Sequence, residues 1–380
     1  MFINVKKIIR TVTVPQSISF FEEAMLKMKD DGFETIVVTS PGLELEEFKQ
    51  RNPAEKTIEV PMQRHISLLK DFKSLWQMMK VMRKEKPYMV HSMTPKAGLI
   101  TMMAAWLTGV PVRIHTFTGL VWPTAAGVKR KILMATDWIT CACATHIIPE
   151  GQGVLDDLKN HKVCRKPMKV LGYGNVKGVD MERFNPARFA QVKKDDSKFR
   201  FIFVGRIVGD KGINELVKAF VRLNSEYMNT QLKLVGTYEA NLDPLKPDTL
   251  KAIEENSCIE ACDPRYDDDL LVEYMRSDCF VMPSYREGFP NTVMEAGAMG
   301  LPSIVTDING SREIIIHGEN GIIIPSKDSD ALYEAMKQML GDTSAREKMA
   351  ANARPLIDSR FEKSFVQRCL MNFYAEIINK

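Results

Sequence analysis

The feature that most constrains the fold is an alternation of buried-strand and amphipathic-helix patterns that begins near the N-terminus. Residues 7–14 and 35–39 are short apolar runs typical of buried strands, whereas residues 18–30 repeat apolar side chains at helical spacing. A strand, a helix and a strand in this order predict two parallel strands joined by a right-handed connection.

The same alternation continues along the first half of the chain and restarts in the second half. Further helices and strands of the first half are predicted at 67–84, 88–91, 97–108 and 112–117. After a cluster of glycines within 166–180, the pattern restarts with an apolar run at 200–204. The later segments predicted are helices at 213–225, 270–276 and 292–299 and strands at 231–235, 279–282, 302–305 and 321–324.

A chain of 380 residues is too long for one ordinary core and suits two domains of common size. We therefore predict an α/β fold of two Rossmann-like, doubly wound parallel-sheet domains that face each other across a cleft. The N-terminal domain is expected at 1–175, the C-terminal domain at 176–360, and a last helix at 361–380, packing back on the N-terminal domain. Such sheets bind ligands beyond the carboxyl ends of their strands.

The composition excludes several classes of protein. Fractions of 45% hydrophobic and 26% charged residues are ordinary for a globular protein. No run of about 18 apolar residues occurs, and the first nine residues lack the pattern of a signal peptide. Any contact with a membrane is therefore expected to be peripheral.

The cysteines indicate neither a disulfide framework nor a metal site. Their number, seven, is odd and their spacing is irregular, which favours a reducing compartment. Cys141 and Cys143, and likewise Cys258 and Cys262, lie close in sequence, but no second pair completes a zinc set. We expect buried thiols, no metal and a cytoplasmic protein.

Charge is unevenly distributed along the chain. Residues 1–175 contain 25 Lys and Arg against 16 Asp and Glu, whereas the remainder contains 27 against 32. A basic first half favours an anionic partner or an anionic membrane surface, and an unevenly charged solvated surface is the alternative. No nucleic-acid partner is expected.

The first motif with chemical meaning follows the apolar run at 200–204. Gly205 permits close backbone approach, and the cations Arg206 and Lys211 follow before the helix predicted at 213–225. Arg can bind two oxygens of a diphosphate in a fork, and Lys can neutralise its charge without a metal. Solvated cations on an ordinary loop are the alternative.

The second motif contains two glutamates that flank a predicted helix start. Asn291 or Thr292 can cap the helix, so that the N–H groups of residues 292 and 293 point at an anion. Glu295, in the first turn, is placed to accept hydrogen bonds from ribose hydroxyls, and Glu287 from hydroxyls of an attached sugar. Each glutamate alone can also be a carboxylate stabilised by the helix dipole.

The stretch SYREGFPNTVMEAGAMGLP at 284–302, with Val-Gly-Arg and Lys-Gly upstream, resembles the retaining glycosyltransferase family four of the GT-B fold. The spacing of the two glutamates and the Gly-Phe-Pro between them carry this resemblance, which extends over nearly the whole second half. The first half, at 91–98 and 113–119, resembles a branch that builds bacterial capsule, O-antigen and lipid-linked oligosaccharides.

The resemblance implies a set of site residues. Arg206 and Lys211 are expected to hold the diphosphate of a UDP-sugar, Glu295 the ribose, and Glu287 with the following backbone the sugar. The implied donor-binding residues are Gly205, Arg206, Lys211, Arg265, Glu287, Gly288, Phe289, Pro290, Asn291, Thr292, Val293 and Glu295. The implied catalytic residues are Glu287, Arg206, Lys211 and Thr118. The implied acceptor-binding residues are Ser17, Lys96, His115, Gly119 and Trp122.

Two positions depart from the family pattern. Thr118 stands where members of this branch usually carry a histidine near the transferred sugar, and Met93 replaces a second common histidine. His115 is no obvious substitute, because alternation along a strand points it to the opposite face from Thr118.

A segment after the strand predicted at 112–117 is the best sequence candidate for lipid contact. Trp122 lies near the basic triplet 129–131, a combination typical of a membrane interface. A mobile loop tethered by one aromatic side chain is the alternative.

The prediction is a hexosyl- or N-acetylhexosaminyltransferase that moves a sugar from a UDP-sugar to a saccharide acceptor with retention of configuration. A saccharide linked to undecaprenyl diphosphate is one acceptor that fits the resemblance. The enzyme is expected in the cytoplasm, and any attachment to the inner membrane is expected to be peripheral and on its cytoplasmic face. A UDP-sugar 2-epimerase of the same fold and a non-catalytic nucleotide-sugar binding protein are the alternatives.

Overall fold

The computed structural model describes residues 6–30, 32–63, 67–239 and 243–378. The chain divides into two compact units. Unit 1 comprises the chain up to Lys177 together with the segment from Val366 onward, and unit 2 comprises Gly178–Phe365. Residues 1–5, part of the segment assessed for a signal peptide, and residues 379–380 of the expected last helix lie outside the described residues.

Unit 1 is built on a parallel sheet of six strands in the order β3-β2-β1-β4-β5-β6. Its strands are β1 (Lys7–Thr11), β2 (Glu34–Thr39), β3 (Lys56–Glu59), β4 (Met89–Met93), β5 (Val112–Phe117) and β6 (His146–Pro149). Its first six helices are α1 (Glu22–Asp30), α2 (Leu43–Arg51), α3 (Leu68–Glu85), α4 (Pro95–Leu107), α5 (Gly127–Cys143) and α6 (Gln152–Asn160). The central strands are almost wholly buried because helices cover the sheet.

Unit 2 repeats the same topology further along the chain. Its sheet has the order β12-β11-β10-β7-β8-β9, which is the order of unit 1 with the strands counted from β7. Its strands are β7 (Phe199–Val204), β8 (Thr230–Val235), β9 (Ile259–Cys262), β10 (Cys279–Met282), β11 (Ser303–Thr306) and β12 (Gly321–Ile324). Its helices are α7 (Ile213–Glu226), α8 (Pro247–Glu255), α9 (Asp267–Met275), α10 (Asn291–Ala298), α11 (Ser311–Ile314), α12 (Ser329–Gly341) and α13 (Thr343–Phe361). The predicted α/β class with two doubly wound parallel sheets is confirmed.

The last helix, α14 (Lys363–Ile378), belongs from Val366 onward to unit 1. Phe373 and Tyr374 pack in one core cluster with residues of β1, β4, β5 and β6. The Tyr374 hydroxyl accepts a hydrogen bond of 2.6 Å from Arg10 and lies 2.5 Å from Nδ1 of His91. The final turns of the chain thus complete the first sheet's core.

Most segments predicted as strands are strands, and several elements were missed. The strands at 112–117 and 279–282 have the predicted bounds. The first helix begins only at Glu22, because residues from Pro15 to Phe20 form a 3-10 turn. β3 was missed because its residues are partly exposed and form no apolar run. The other missed elements are α2, α5, β6 and α6 in unit 1 and α8, β9, α11, α12 and α13 in unit 2.

The described part of the chain contains no helix that is both long and apolar enough to cross a bilayer. All seven cysteines carry free thiols.

Candidate functional site

The loops that follow β7 and β10 meet where the strand order of the second sheet reverses. β7 and β10 are hydrogen-bonded neighbours, and their connections lead to opposite sides of the sheet. Open parallel sheets bind ligands at this position, beyond the carboxyl ends of their strands. The two loops, 205–212 and 283–290, contain most of the residues predicted to bind a donor.

Two glycines allow these loops to pack closely. Gly212 has a φ of +72°, and a Cβ atom there would lie 2.1 Å from the carbonyl oxygen of Pro283. A Cβ atom on Gly310, in the loop after β11, would lie 2.2 Å from the carbonyl oxygen of Gly288. Only glycine fits such approaches without a shift of the backbone. The loops after β7, β10 and β11 therefore form one packed set.

Lys211 and Glu287 join the two main loops directly. The Lys211 ammonium donates a hydrogen bond to the Glu287 carboxylate, and the side chains are only 15% and 13% exposed. Attraction between opposite charges is stronger in such a partly buried setting than in open solvent. The structure thus brings together two residues that were predicted separately from the sequence.

Arg206 lies in the same charged cluster. Its guanidinium donates a hydrogen bond of 2.7 Å to Glu239 and lies 3.9 Å from the Asp210 carboxylate. Partial burial lowers the pKa of Arg206, but Glu239, Asp210 and Glu287 together outweigh burial and raise that pKa. Arg206 remains a partly exposed cation near Glu287.

Acidic side chains that the motifs did not single out organise these cations. Asp210 pairs with Arg286 at 3.1 Å, and its own backbone N–H donates to the Asp243 carboxylate at 2.5 Å. Asp210 lies between Arg206 and Lys211 in sequence and Arg286 immediately precedes Glu287. The position of Asp210 and Arg286 inside the two motifs was a sequence signal that could have identified them. Asp243 and Glu239 lie after β8, where no motif marks them.

The start of α10 differs from the predicted capping. Pro290 is the N-cap, so Asn291 and Thr292 occupy the first two helical positions and neither caps the helix. The N–H of Val293 donates to the Pro290 carbonyl at 3.2 Å, so the expectation that this N–H points at an anion is wrong. Thr292 is half-buried at the helix start, beside the loop that carries Glu287.

Glu295 lies one turn into α10, beyond the first turn in which it was predicted. It lies beside the hydroxyl of Tyr274, a fully buried side chain whose pKa is raised by burial and by the Glu295 carboxylate. Phe289 is buried against Phe361, with ring centroids 5.3 Å apart, so its side chain packs the loop 283–290 against the core of unit 2.

Arg265 lies at the same edge of the sheet but apart from the charged cluster. It is exposed in the loop between β9 and α9, two strands away from β7. Its charge acts on Glu260, whose pKa is lowered chiefly by a hydrogen bond from Lys233. No contact found among the described residues joins Arg265 to Arg206, Lys211 or Glu287.

In unit 1, the corresponding edge of the sheet holds an apolar pocket of about 350 Å³. Two predicted acceptor-binding residues, Ser17 and Lys96, line it. The Lys96 ammonium bonds to the Asp71 carboxylate at 2.6 Å, and its side chain is 9% exposed. The remaining lining residues are Thr13, Val14, Thr94, Pro95, Leu99, Val121, Leu133 and Thr136.

Thr94 has a strained backbone at the rim of this pocket. Its φ of 71° and ψ of 145° fall in a region that is essentially restricted to glycine. The Thr13 and Thr94 hydroxyls are hydrogen-bonded at 2.7 Å, and Thr13 also accepts a bond of 3.1 Å from the Ala97 N–H at the start of α4. Strain of this kind persists only where surrounding bonds hold it.

Two predicted acceptor-binding residues are core residues instead. His115 is 1% exposed, bonds to Ser92 at 2.8 Å, and has a pKa lowered to about 3 by burial. Trp122 is fully buried and donates a hydrogen bond of 3.1 Å to Asp137, so it does not present a surface to lipid. Thr118 and Gly119 lie half-buried just after β5.

The chain is similar in sequence to known glycosyltransferases. Residues 184–355 match the family described as glycosyl transferases group 1, and residues 20–174 match the glycosyl transferase 4-like domain. The chain is 31% identical over 380 residues to the capsular polysaccharide biosynthesis glycosyltransferase CapM of Staphylococcus aureus, with 99% of this chain and 98% of CapM covered.

The chain belongs to glycosyltransferase family four.

Other relatives of this family-four glycosyltransferase are more distant. A UDP-Gal:alpha-D-GlcNAc-diphosphoundecaprenol alpha-1,3-galactosyltransferase of Escherichia coli is 29% identical over 299 residues, which cover 73% of each chain. The structure of Anabaena HepE in complex with UDP has a TM-score of 0.78 at 15% identity and covers 98% of this chain and all of HepE. That likeness concerns the fold, and the family-four glycosyltransferase has the GT-B fold.

The structure describes residues 6–30, 32–63, 67–239 and 243–378 of this glycosyltransferase. Within them, no group of three or more His, Cys, Asp or Glu side chains could hold a metal ion.

Proposed function

We propose that this glycosyltransferase binds a UDP-sugar in unit 2 and transfers the sugar, with retention of configuration, to a lipid-linked saccharide in surface polysaccharide synthesis. The observation that carries the proposal is the convergence of Arg206, Lys211 and Glu287 on adjacent loops at the switch point of the second sheet. Arg and Lys together suit a diphosphate, which they can hold without a metal.

The ion pair between Lys211 and Glu287 suggests how the donor enters. A diphosphate oxygen replaces the Glu287 carboxylate on the Lys211 ammonium, and the freed carboxylate then accepts hydrogen bonds from hydroxyls of the donor sugar. Arg206, partly exposed in the same cluster, holds the other phosphate. Glu295, one turn into α10, receives the ribose hydroxyls.

Transfer needs charge stabilisation more than a protein base. The bond between the sugar and the diphosphate breaks, the bond to the acceptor oxygen forms on the same face, and the acceptor proton passes to the departing diphosphate. Negative charge grows on that diphosphate, where Arg206 and Lys211 stabilise it. Thr118 has no imidazole to act as a base, and this route needs none.

For the acceptor, the apolar pocket in unit 1 supports a lipid-linked saccharide. Leu99, Val121 and Leu133 offer apolar surface, and Ser17 and Lys96 offer polar contacts at the same place. CapM is named for capsular polysaccharide, and the E. coli relative is named for an acceptor on diphosphoundecaprenol. An acceptor of this kind would place the enzyme peripherally on the cytoplasmic face of the membrane.

The direct test is a thermal-shift panel of UDP-, GDP- and TDP-sugars, followed by transfer assays with the best donor. A ligand present at 100 times its dissociation constant stabilises the folded state by about 2.7 kcal/mol. The shift should appear with a UDP-sugar and vanish in Lys211→Ala but persist in Lys218→Ala, an exposed lysine on α7. Equal shifts in both variants would contradict the assignment of Lys211 to donor binding.

Retention of configuration is read from the anomeric proton coupling of the product. An inverted product would contradict it.

A further inference from the structure

The helix α3 exposes three large apolar side chains on one face. Leu69, Phe72 and Trp76 are 88%, 73% and 51% exposed, and their spacing of three and four residues aligns them along the helix. The other face of α3 is used differently, because Met78 and Met82 are buried in the core of unit 1. The exposed side chains are therefore not part of the packing that holds the helix in place.

Basic side chains continue this apolar stripe. Lys73, Lys80 and Arg83 lie on the same helical face and are exposed, and the Lys80 ammonium lies 3.4 Å above the Trp76 ring. We call the set Leu69, Phe72, Lys73, Trp76, Lys80 and Arg83 the α3 stripe.

The acidic residues of α3 do not offset these cations. Asp71 bonds to Lys96 at 2.6 Å. Glu85 is buried and bonds to Lys7 at 3.1 Å and to Lys56 at 2.6 Å. Both carboxylates are thus neutralised by cations of unit 1 outside α3, and the outward charge of the helix is positive.

An apolar stripe edged by cations fits an anionic bilayer better than a protein surface. Apolar side chains of such a helix enter the boundary of the acyl chains, while Lys and Arg extend their charged ends to lipid phosphates. The centres of protein interfaces are depleted of lysine. A second copy of this chain would place Lys73, Lys80 and Arg83 against like charges, which repel one another.

A second helix, α5, also exposes apolar side chains beside basic ones. α4 packs against both α3 and α5, and α5 begins with Val128 and Ile132 exposed beside Lys129 and Lys131. The basic triplet noted in the sequence therefore belongs to a helix whose neighbouring apolar residues, and not Trp122, face outward.

We propose that the α3 stripe docks this glycosyltransferase on an anionic lipid bilayer. The proposal deepens the proposed function by assigning the membrane contact to α3, and it does not depend on which sugar is transferred. A helix lying in the interface would hold the enzyme at the surface from which a lipid-linked acceptor projects.

Vesicle flotation tests the proposal with the full chain. Phosphatidylcholine vesicles are compared with vesicles in which about one third of the lipid is phosphatidylglycerol, a charge density that attracts basic helices. The protein should float with the anionic vesicles only. Phe72→Ser/Trp76→Ser and Lys73→Gln/Lys80→Gln should each weaken binding by roughly tenfold or more. Met228→Ser, which removes an apolar side chain 85% exposed in unit 2, should leave it unchanged.

Fold and donor binding are checked in the same variants. The UDP thermal shift should stay as in the unchanged protein, so lost flotation would not reflect unfolding or a failed donor site. Absent flotation of the unchanged protein, or equal flotation of all variants, would overturn the proposal. So would a dimer that only the α3 variants abolish, because it would identify a second copy as the occupant. Flotation without any transfer from UDP-sugars would uphold docking and count against the proposed function alone.

Discussion

The two sheets have the same strand order but hold opposite kinds of residues at their switch points. In unit 1 the loops after β1 and β4 are joined by the hydroxyls of Thr13 and Thr94, and an apolar pocket lies beside them. In unit 2 the loops after β7 and β10 are joined by the ion pair of Lys211 and Glu287. Topology fixes where a ligand can bind, and the residue types at that place decide which ligand it is.

The difference also shows in what each sheet buries. Unit 1 keeps Arg10 and His91 in its interior, where both bond to Tyr374 of α14. In unit 2 the cations at the switch point, Arg206 and Lys211, stay partly exposed and near solvent. Buried charge therefore serves structure in the first unit, and accessible charge is available to a ligand in the second.

The largest effect that could break this comparison is on catalysis. Lys211→Ala should lower kcat by roughly 10²- to 10³-fold, because it removes a charge that stabilises the departing diphosphate. Thr13→Ala, at the matching place in unit 1, should leave donor affinity unchanged and raise the KM for acceptor. Steady-state kinetics with varied donor and acceptor measure both, and a donor defect in Thr13→Ala would erase the distinction between the units.

The next effect concerns the backbone approach that closes the loops of unit 2. Gly212→Ala should destabilise the protein by roughly 2–4 kcal/mol, because its Cβ would overlap the Pro283 carbonyl. Gly300→Ala is the control, since Gly300 has a φ of +84° but no atom within 4 Å of an added Cβ. That variant should lose only about 1–2 kcal/mol. Equal losses in urea unfolding would mean that φ alone, and not the approach, requires Gly212.

A smaller effect tests the buried network of unit 1. Tyr374→Phe leaves Arg10 and His91 without the hydroxyl that both use, and should lower the free energy of unfolding by about 1–3 kcal/mol. Tyr333→Phe, a buried tyrosine of unit 2 that bonds to the more exposed Glu226, should lose less. Urea denaturation compares them, with UDP affinity expected to be unchanged in both. A smaller loss in Tyr374→Phe would show that the network is not stabilising.

The smallest effect is a pH dependence confined to unit 1. Burial raises the pKa of Asp137 to about 7, although the Trp122 hydrogen bond opposes the shift. Because the folded protein holds this proton more tightly than the unfolded chain, stability falls as pH rises from about 4 to 7 and stays lower above. Asp137→Asn should therefore raise Tm at pH 8, with a gain of at most about 4 kcal/mol in the free energy of unfolding, and should raise Tm much less at pH 5, where the folded carboxyl group is still protonated.

Asp156→Asn, at an exposed position on α6, is the control for Asp137→Asn and should shift neither value. Thermal unfolding at the two pH values decides the matter. A lower Tm of Asp137→Asn at pH 8 would mean that the ionised carboxylate has a stabilising partner.

Sequence patterns were sufficient for the central strands and for the two loops at the switch point, but not for β3, β6 and β9 or for the ion pair between Lys211 and Glu287. Apolar runs identified β5 and β10 because central parallel strands are buried on both faces. The spacing of the two glutamates drew attention to Glu287. Its motif was informative because neighbours in sequence stay together in one loop whatever the fold. His115 and Trp122 were misplaced because their polar atoms are satisfied by Ser92 and Asp137, partners that local sequence patterns do not reveal.

The return of α14 to unit 1 has a consequence for how the protein is made. The ribosome synthesises residues 178–365 as one continuous stretch, so unit 2 can fold as soon as that stretch has left the ribosome. Unit 1 must wait for Phe373 and Tyr374, which are synthesised only after all of unit 2. A premature stop codon that removed α14 would therefore damage the half of the enzyme that is translated first.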